Sequence, residues 1–130
     1  MPASSTYGDF ALKHFLGMEV VGAGAGHARA RITVADEHRN PNGVVHGAVY
    51  FAMVDTAMGA ATMSTLPDGR YCTSVEVQMR FIRPAADGIL VADASVLKTG
   101  RSVVHLEARV HDGDDRLIAT SGGTFAIIGP

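Results

Sequence analysis

Along most of this chain polar and apolar residues alternate with a period of two, and in one stretch apolar residues take over. His27–Val34 is the cleanest alternating case. Ala28, Ala30, Ile32 and Val34 fall on one side, His27, Arg29, Arg31 and Thr33 on the other. That period is the mark of a half-buried strand. Met18–Ala23 precedes it across Gly24-Ala25-Gly26, so the two predict a hairpin. Cys72–Arg83 alternates again, predicting Val75, Val77, Met79 and Phe81 inward and Ser74, Glu76, Gln78 and Arg80 outward, with Pro84 ending the strand. Asp87-Gly88 then turns into Ile89–Lys98, and Thr99-Gly100 into Ser102–His111, where Val104, Leu106, Ala108 and Val110 share a face. Asp112-Gly113-Asp114-Asp115 turns into Leu117–Ile128.

The exception is Val44–Ala61, VVHGAVYFAMVDTAMGAA, with apolar or small residues at nearly every helical phase. A helix greasy all round belongs inside a protein. A short helix over Asp9–Leu16, capped by Thr6 and packing through Phe10, Phe15 and Leu16, follows a loose terminus at residues 1–6. The order is two strands, one long helix, then four strands joined by hairpin-length turns. Such turns imply an antiparallel sheet. The fold class is therefore α+β, one domain over residues 1–130 in which five to six antiparallel strands curl around one long central helix.

With 130 residues, 47% of them hydrophobic and 18% charged, the composition is that of a globular domain. The apolar fraction is high for so short a chain, which points to further surface buried between subunits. A formal charge of -2 and no Lys/Arg run give no support to nucleic-acid binding. One cysteine, Cys72, excludes an intrachain disulfide and fits a reducing cytoplasm. The opening residues lack a signal peptide's charge and apolar core, and no apolar run approaches the ~20 residues that cross a bilayer.

One carboxylate, Asp55, interrupts the greasy helix. An ionised carboxylate withdrawn from water without partners costs several kcal/mol, so such a group points to chemistry. Immediately upstream lies Asn40-Pro41-Asn42-Gly43-Val44-Val45-His46-Gly47. Gly47 falls in the first helical turn, where backbone N–H groups lack intrahelical partners and the dipole is positive. Such an N–H stabilises negative charge developing on a carbonyl oxygen, and glycine lets a substrate approach the backbone. His46 and Asp55 are nine residues apart, which places them about 13 Å and about 180° apart on a helix. They cannot meet over one substrate within a single chain. If both are catalytic, each site combines Asp55 of one subunit with the His46-Gly47 turn of another, in a homodimer.

The pattern N-x-x-G-x-x-H-G with an Asp nine residues after the His stands here as Asn40, Gly43, His46, Gly47 and Asp55. It resembles that of the hotdog-fold acyl-CoA thioesterases, above all the PaaI-like (phenylacetyl-CoA thioesterase) branch. Thr73–Ala85 is similar to that family's strand after the helix, and the Lys98-Thr99-Gly100-Arg101 turn is a looser match. The resemblance implies a hotdog fold, homodimers that pair into tetramers, no cofactor, and hydrolysis of acyl-CoA to free acid and CoA. It also implies Asp55 as general base or nucleophile, with the Gly47 N–H polarising the thioester carbonyl. Asn40 and His46 orient the carbonyl, helix start and water, and Ser74 helps hold the water or carboxylate. One departure is Ala48, where many relatives carry a second glycine; it bears on acyl selectivity.

Arg80, Arg83, Lys98 and Arg101, with Gly100 in the turn, are candidates for the phosphates of CoA. No metal is expected, since His105 and His111 lack convergent carboxylate or cysteine spacing. Met53, Met58 and Met63 read as core or acyl-pocket lining. Gly22–Gly26 is not a dinucleotide loop, because a strand follows it. The alternative reading is a non-catalytic acyl-CoA-binding or sensing module, against which Asp55 argues. A hotdog dehydratase is a third class, with no matching motif.

Overall fold

The computed structural model describes residues 8–130. Helix α1 spans Ala11–Phe15, and strands β1 (Glu19–Gly24) and β2 (His27–Thr33) follow as an antiparallel hairpin. A 3-10 turn at Asp36–His38 leads to helix α2, Gly47–Met63. Strands β3 (Tyr71–Phe81), β4 (Ile89–Thr99), β5 (Val103–Asp112) and β6 (Leu117–Ile128) complete the chain. All pair antiparallel in one six-stranded sheet of order β1-β2-β4-β5-β6-β3. The expected α+β architecture is thus observed, with β3 on one edge.

The sheet carries its smallest residues where α2 lies. Ala30 pairs with Ala92, Ala92 with Val110 and Val110 with Ala119; Ala28 pairs with Ala94, and Ala94 with Ala108. These alanines are buried, and so are Met53, Val54, Met58 and Ala61 of the helix above them. Small side chains on the sheet let the helix settle close, and long ones on the helix fill the gap. Each large side chain fully buried in this way contributes about 1.5–3 kcal/mol.

Three expectations are corrected. The first concerns α1, which is shorter than Asp9–Leu16 and has Phe10 at its N-cap; Thr6 lies outside the described residues. Leu16 is buried, but Phe15 is 66% exposed and packs no face. The second is the inward set of β3. A bulge between Ser74 and Glu76 inserts Val75, which is 63% exposed. The extra residue reverses the count on its N-terminal side, so Ser74 sits opposite buried Phe125 on the helix side of the sheet, while Val77 and Met79 still pack on the core. Phe81, 57% exposed, ends the strand over Gly47. The third is the all-round burial of α2: Ala48 and Phe51 are exposed and Ala52 and Asp55 half-buried, a stripe at helical spacing.

Candidate active site

The loop before α2 is held from three directions. The Asn40 side-chain oxygen accepts from the Asn42 N–H at 2.9 Å and the Val44 N–H at 3.4 Å. Val45 N–H donates to the Ala85 carbonyl, and His46 N–H to the His38 carbonyl, both at 2.8 Å. His38 is buried; its Nδ1 accepts from the Ala35 N–H at 2.9 Å, so its Nε2 donates to the Leu16 carbonyl at 2.7 Å. This neutral histidine ties the end of α1 to the site loop. The sequence singled out no role for His38, whose only signal was its place just before the site loop.

His46 is the N-cap of α2. Its Nδ1 accepts from the Ala48 N–H at 2.9 Å, which puts the ring proton on Nε2. The bond has a consequence for its neighbours. With the Ala48 amide taken by His46, the Gly47 N–H is the first-turn donor left for a ligand. Beside Gly47 the ring of Phe81 closes in: a Cβ built on the glycine would lie 3.1 Å from Cζ and 3.3 Å from Cε1. The absence of a side chain is what lets the two meet. Val45, Gly47, Tyr50, Phe81, Ile82, Arg83 and Pro84 enclose a cavity of about 350 Å³ there.

Asp55 lies two turns further along α2, roughly 12 Å from Gly47 by helical rise. One carboxylate oxygen is buried and has no hydrogen-bond partner. No Lys, Arg or His pairs with it among the described residues. Burial pushes its pKa above the ordinary value of 3.8, and the Ser74 hydroxyl pulls partly back by favouring the charged form. Cys72, two residues before Ser74, donates through Sγ to the Gly59 carbonyl at 3.9 Å. Its thiol is pushed up to about 11, first by burial and then by the Asp55 charge. A poorly solvated carboxylate with raised pKa is suited to accept a proton near neutral pH.

The remaining expected residues divide between the two ends. Arg83 stands at the Gly47 cavity. Lys98 and Arg101 are exposed at the β4–β5 turn, where the Gly100 N–H donates to the Val103 carbonyl at 2.8 Å. Thr99 pairs with Val104, Val104 with Phe125, and Phe125 with Ser74, so that turn shares a sheet end with Ser74 and the carboxylate. One chain therefore brings Asp55 to Ser74, and Gly47 to Phe81 and Arg83, but does not bring the two groups together.

Residues 42–119 match the family model of the thioesterase superfamily. The chain belongs to the thioesterase superfamily. Among relatives, an inferred esterase of Halobacterium salinarum is 32% identical, over 92% of this chain and 85% of its own length. A conserved Pseudomonas aeruginosa protein of known structure is 36% identical, with TM-score 0.89 over 92% of this chain and 95% of that one. The Escherichia coli PaaI protein of the phenylacetic acid degradation operon shares the fold at TM-score 0.85 and 24% identity, over 93% of this chain and 86% of its own. The expected PaaI-like hotdog fold is thereby established, and this thioesterase is a thioester hydrolase. Tyr50 and Phe81, which sequence reading did not assign to a site, line the cavity of the thioesterase beside its glycine amide. No helix among the described residues is long and apolar enough to cross a membrane.

Proposed function

We propose that this thioesterase hydrolyses an acyl-CoA to free acid and CoA at two sites, each shared between the protomers of a homodimer. The carbonyl oxygen rests on the Gly47 N–H of one protomer. Asp55 of the partner either takes a proton from water as it attacks the carbonyl carbon, or attacks first to form a mixed anhydride that water then cleaves. In both routes the C–S bond breaks and the sulfur leaves with the electron pair as the CoA thiolate. Ser74 holds the carboxylate in its ionised form, His46 fixes the helix start that aims the amide, and Asn40 shapes the loop beneath it.

The single observation that carries this reading is the Asp55 oxygen, buried and unpartnered on the one stripe of α2 that its own sheet leaves open. An uncompensated carboxylate is costly, and catalysis accounts for its retention. The same stripe includes Phe51, 42% exposed, and β3 is an eleven-residue edge strand with exposed Val75 and Phe81. An unpaired edge beside an apolar stripe supports pairing with a second copy. Pairing of dimers into tetramers and residence in a reducing cytoplasm, which the single Cys72 fits, belong to the same proposal. So do contacts of Arg83, Lys98 and Arg101 with the CoA phosphates: a shared site joins the Gly47 end of one protomer to the Ser74 end of the other.

The test is Asp55→Asn assayed on a panel of acyl-CoAs with a thiol reagent that detects released CoA. The variant is expected to fold and bind acyl-CoA yet lose at least about a hundredfold in turnover. Wild-type rates from it would overturn the mechanism. Tight binding by the wild-type protein with no CoA release would replace the enzyme with an acyl-CoA-binding module.

A further inference from the structure

A second cavity, of about 380 Å³, lies against the start of α2. Ala48, Val49 and Ala52 form one of its walls, and Leu12 and Leu16 form the other. At about 100° per residue these α2 positions stand on the face opposite Gly47 and Tyr50, which line the cavity that holds Arg83. The two cavities therefore flank the amide proposed to hold the thioester carbonyl. Ala48 and Ala52 also belong to the open stripe of α2, so the partner in the proposed dimer closes the side left open.

Packing alone does not account for α1. The helix buries none of its five residues, and it leaves Leu12 53% and Phe15 66% exposed. His38 is what holds its end in place. The ring Nε2–H donates to the Leu16 carbonyl at 2.7 Å, while the main-chain carbonyl of His38 accepts the His46 N–H at 2.8 Å. One buried residue thus fixes both walls relative to each other, and the gap between them is built into the fold.

The lining decides what that gap suits. All five wall residues are apolar. Arg39, also at the cavity, is committed to Asp36 and the Ala86 carbonyl, and Nδ1 of His46 is taken by the Ala48 N–H. Glu37 remains, exposed, and its carboxylate repels an acyl group that carries a negative charge of its own. A thioester carbon is trigonal, so with its oxygen on the Gly47 amide the acyl carbon and the sulfur diverge to opposite sides. Arg83 suits the anionic CoA arm on its side, and a hydrocarbon chain would cost that guanidinium its water. The apolar walls are left for the acyl group.

Resting on the acyl-CoA reading, we infer that the gap between α1 and α2 is an acyl pocket for uncharged, unsubstituted hydrocarbon chains, and that Leu12 sets the length of chain it holds. Each methylene that enters leaves water, so kcat/KM for saturated acyl-CoAs rises about threefold per carbon until the pocket is full.

Saturated acyl-CoAs from acetyl- to palmitoyl-CoA, assayed for CoA release, test this on wild type, Leu12→Trp and Leu12→Ala. Leu12 is more than half exposed, so neither change disturbs the core. Leu12→Trp fills the gap and is expected to lower the ratio of decanoyl- to butanoyl-CoA activity at least tenfold, moving the optimum to shorter chains. Leu12→Ala is expected to move the optimum to longer ones. Adipoyl-CoA, which is hexanoyl-CoA with a carboxylate at its end, is expected to be at least tenfold poorer than hexanoyl-CoA. The same chain-length profile in all three proteins, including an equal loss on every substrate, would overturn the inference and leave the thioesterase reading intact. Adipoyl-CoA turned over as well as hexanoyl-CoA would overturn the restriction to uncharged chains. No CoA release from any substrate by the wild-type protein would refute the acyl-CoA reading and the pocket with it.

Discussion

The carboxylate of Asp55 faces the hydroxyl of Ser74 across the gap between α2 and β3, and the bulge at Val75 is what turns the serine toward it. Burial raises the Asp55 pKa and Ser74 lowers it. In its proposed role as base or nucleophile Asp55 must be ionised, so activity is expected to fall as acid protonates it. The acidic limb of kcat/KM is expected above the ordinary 3.8 of a carboxylate. Removing the hydroxyl with Ser74→Ala takes away the group that favours the charge, so the limb moves further up and activity at low pH drops more than at high pH. Rate profiles of both proteins across the acid range check this. A limb that stays put or moves down in the variant rules out Ser74 as the group that tunes Asp55.

The same raised pKa has a thermodynamic counterpart. A group that binds its proton more tightly folded than unfolded stabilises the fold below its unfolded pKa, and that contribution is lost as pH rises through the folded value. At neutral pH the charged, partly desolvated Asp55 is therefore a net cost. Asp55→Asn is expected to melt at a higher temperature than wild type at pH 7, with the difference shrinking below the ordinary 3.8, where both side chains are neutral. Melting curves at the two pH values decide it. Wild type more stable than the variant at pH 7 would mean the carboxylate is compensated in the folded assembly. Loss of activity together with gain of stability is the expected signature of a functional group held at a cost.

How far the sequence carries can be judged residue by residue. The strands, their turns and the long helix follow from period-two alternation and glycine-aspartate turns, signals local enough to survive any tertiary context. Asp55 stands out for the same local reason, a lone charge among apolar neighbours. Ser74 was assigned to the wrong face because alternation cannot be counted through a bulge, and Val75, β-branched and apolar, looks like an ordinary inward residue. The open stripe of α2 was hidden because Ala48, Phe51 and Ala52 are apolar whether they meet the sheet or a second copy. Tyr50 and Phe81 gain their meaning only from what packs beside them, thirty-one residues apart in sequence. His46 and Asn40 were legible as site residues, but their hydrogen bonds to Ala48, Asn42 and Val44 required the folded loop.

The proposed sharing of the site between protomers carries a quantitative expectation. A Cβ at Gly47 would press on the Phe81 ring, whose exposure lets it swing aside, so Gly47→Ala folds but obstructs the amide and is expected to lose at least about tenfold in kcat/KM. Asp55→Asn is expected to be inactive for a different reason, the loss of the proposed base or nucleophile. When the two variants are co-expressed, random pairing makes about half of the dimers mixed, and each mixed dimer has one site with both residues intact. About a quarter of wild-type activity should therefore return. Activity no greater than the sum of the separate variants would place Gly47 and Asp55 in one chain's site, against the helical geometry.

Gly123 on β6 shows how tightly the helix is seated on the sheet that carries the site. A Cβ there would lie 2.5 Å from the Met58 sulfur and 3.1 Å from its methyl, so the fully buried end of Met58 would have to shift against its neighbours to admit it. Gly123→Ala is expected to cost about 1–3 kcal/mol by overpacking, despite the usual preference for alanine over glycine in a strand. Met58→Ala alone opens a cavity and also costs about 2–5 kcal/mol. Because the two side chains compete for the same space, the double variant should be more stable than the sum of the single losses. Denaturant unfolding of the four proteins gives the coupling directly. Strict additivity would mean the helix lifts to admit the methyl, and Asp55, three residues before Met58, would then shift with it and lose activity in Gly123→Ala.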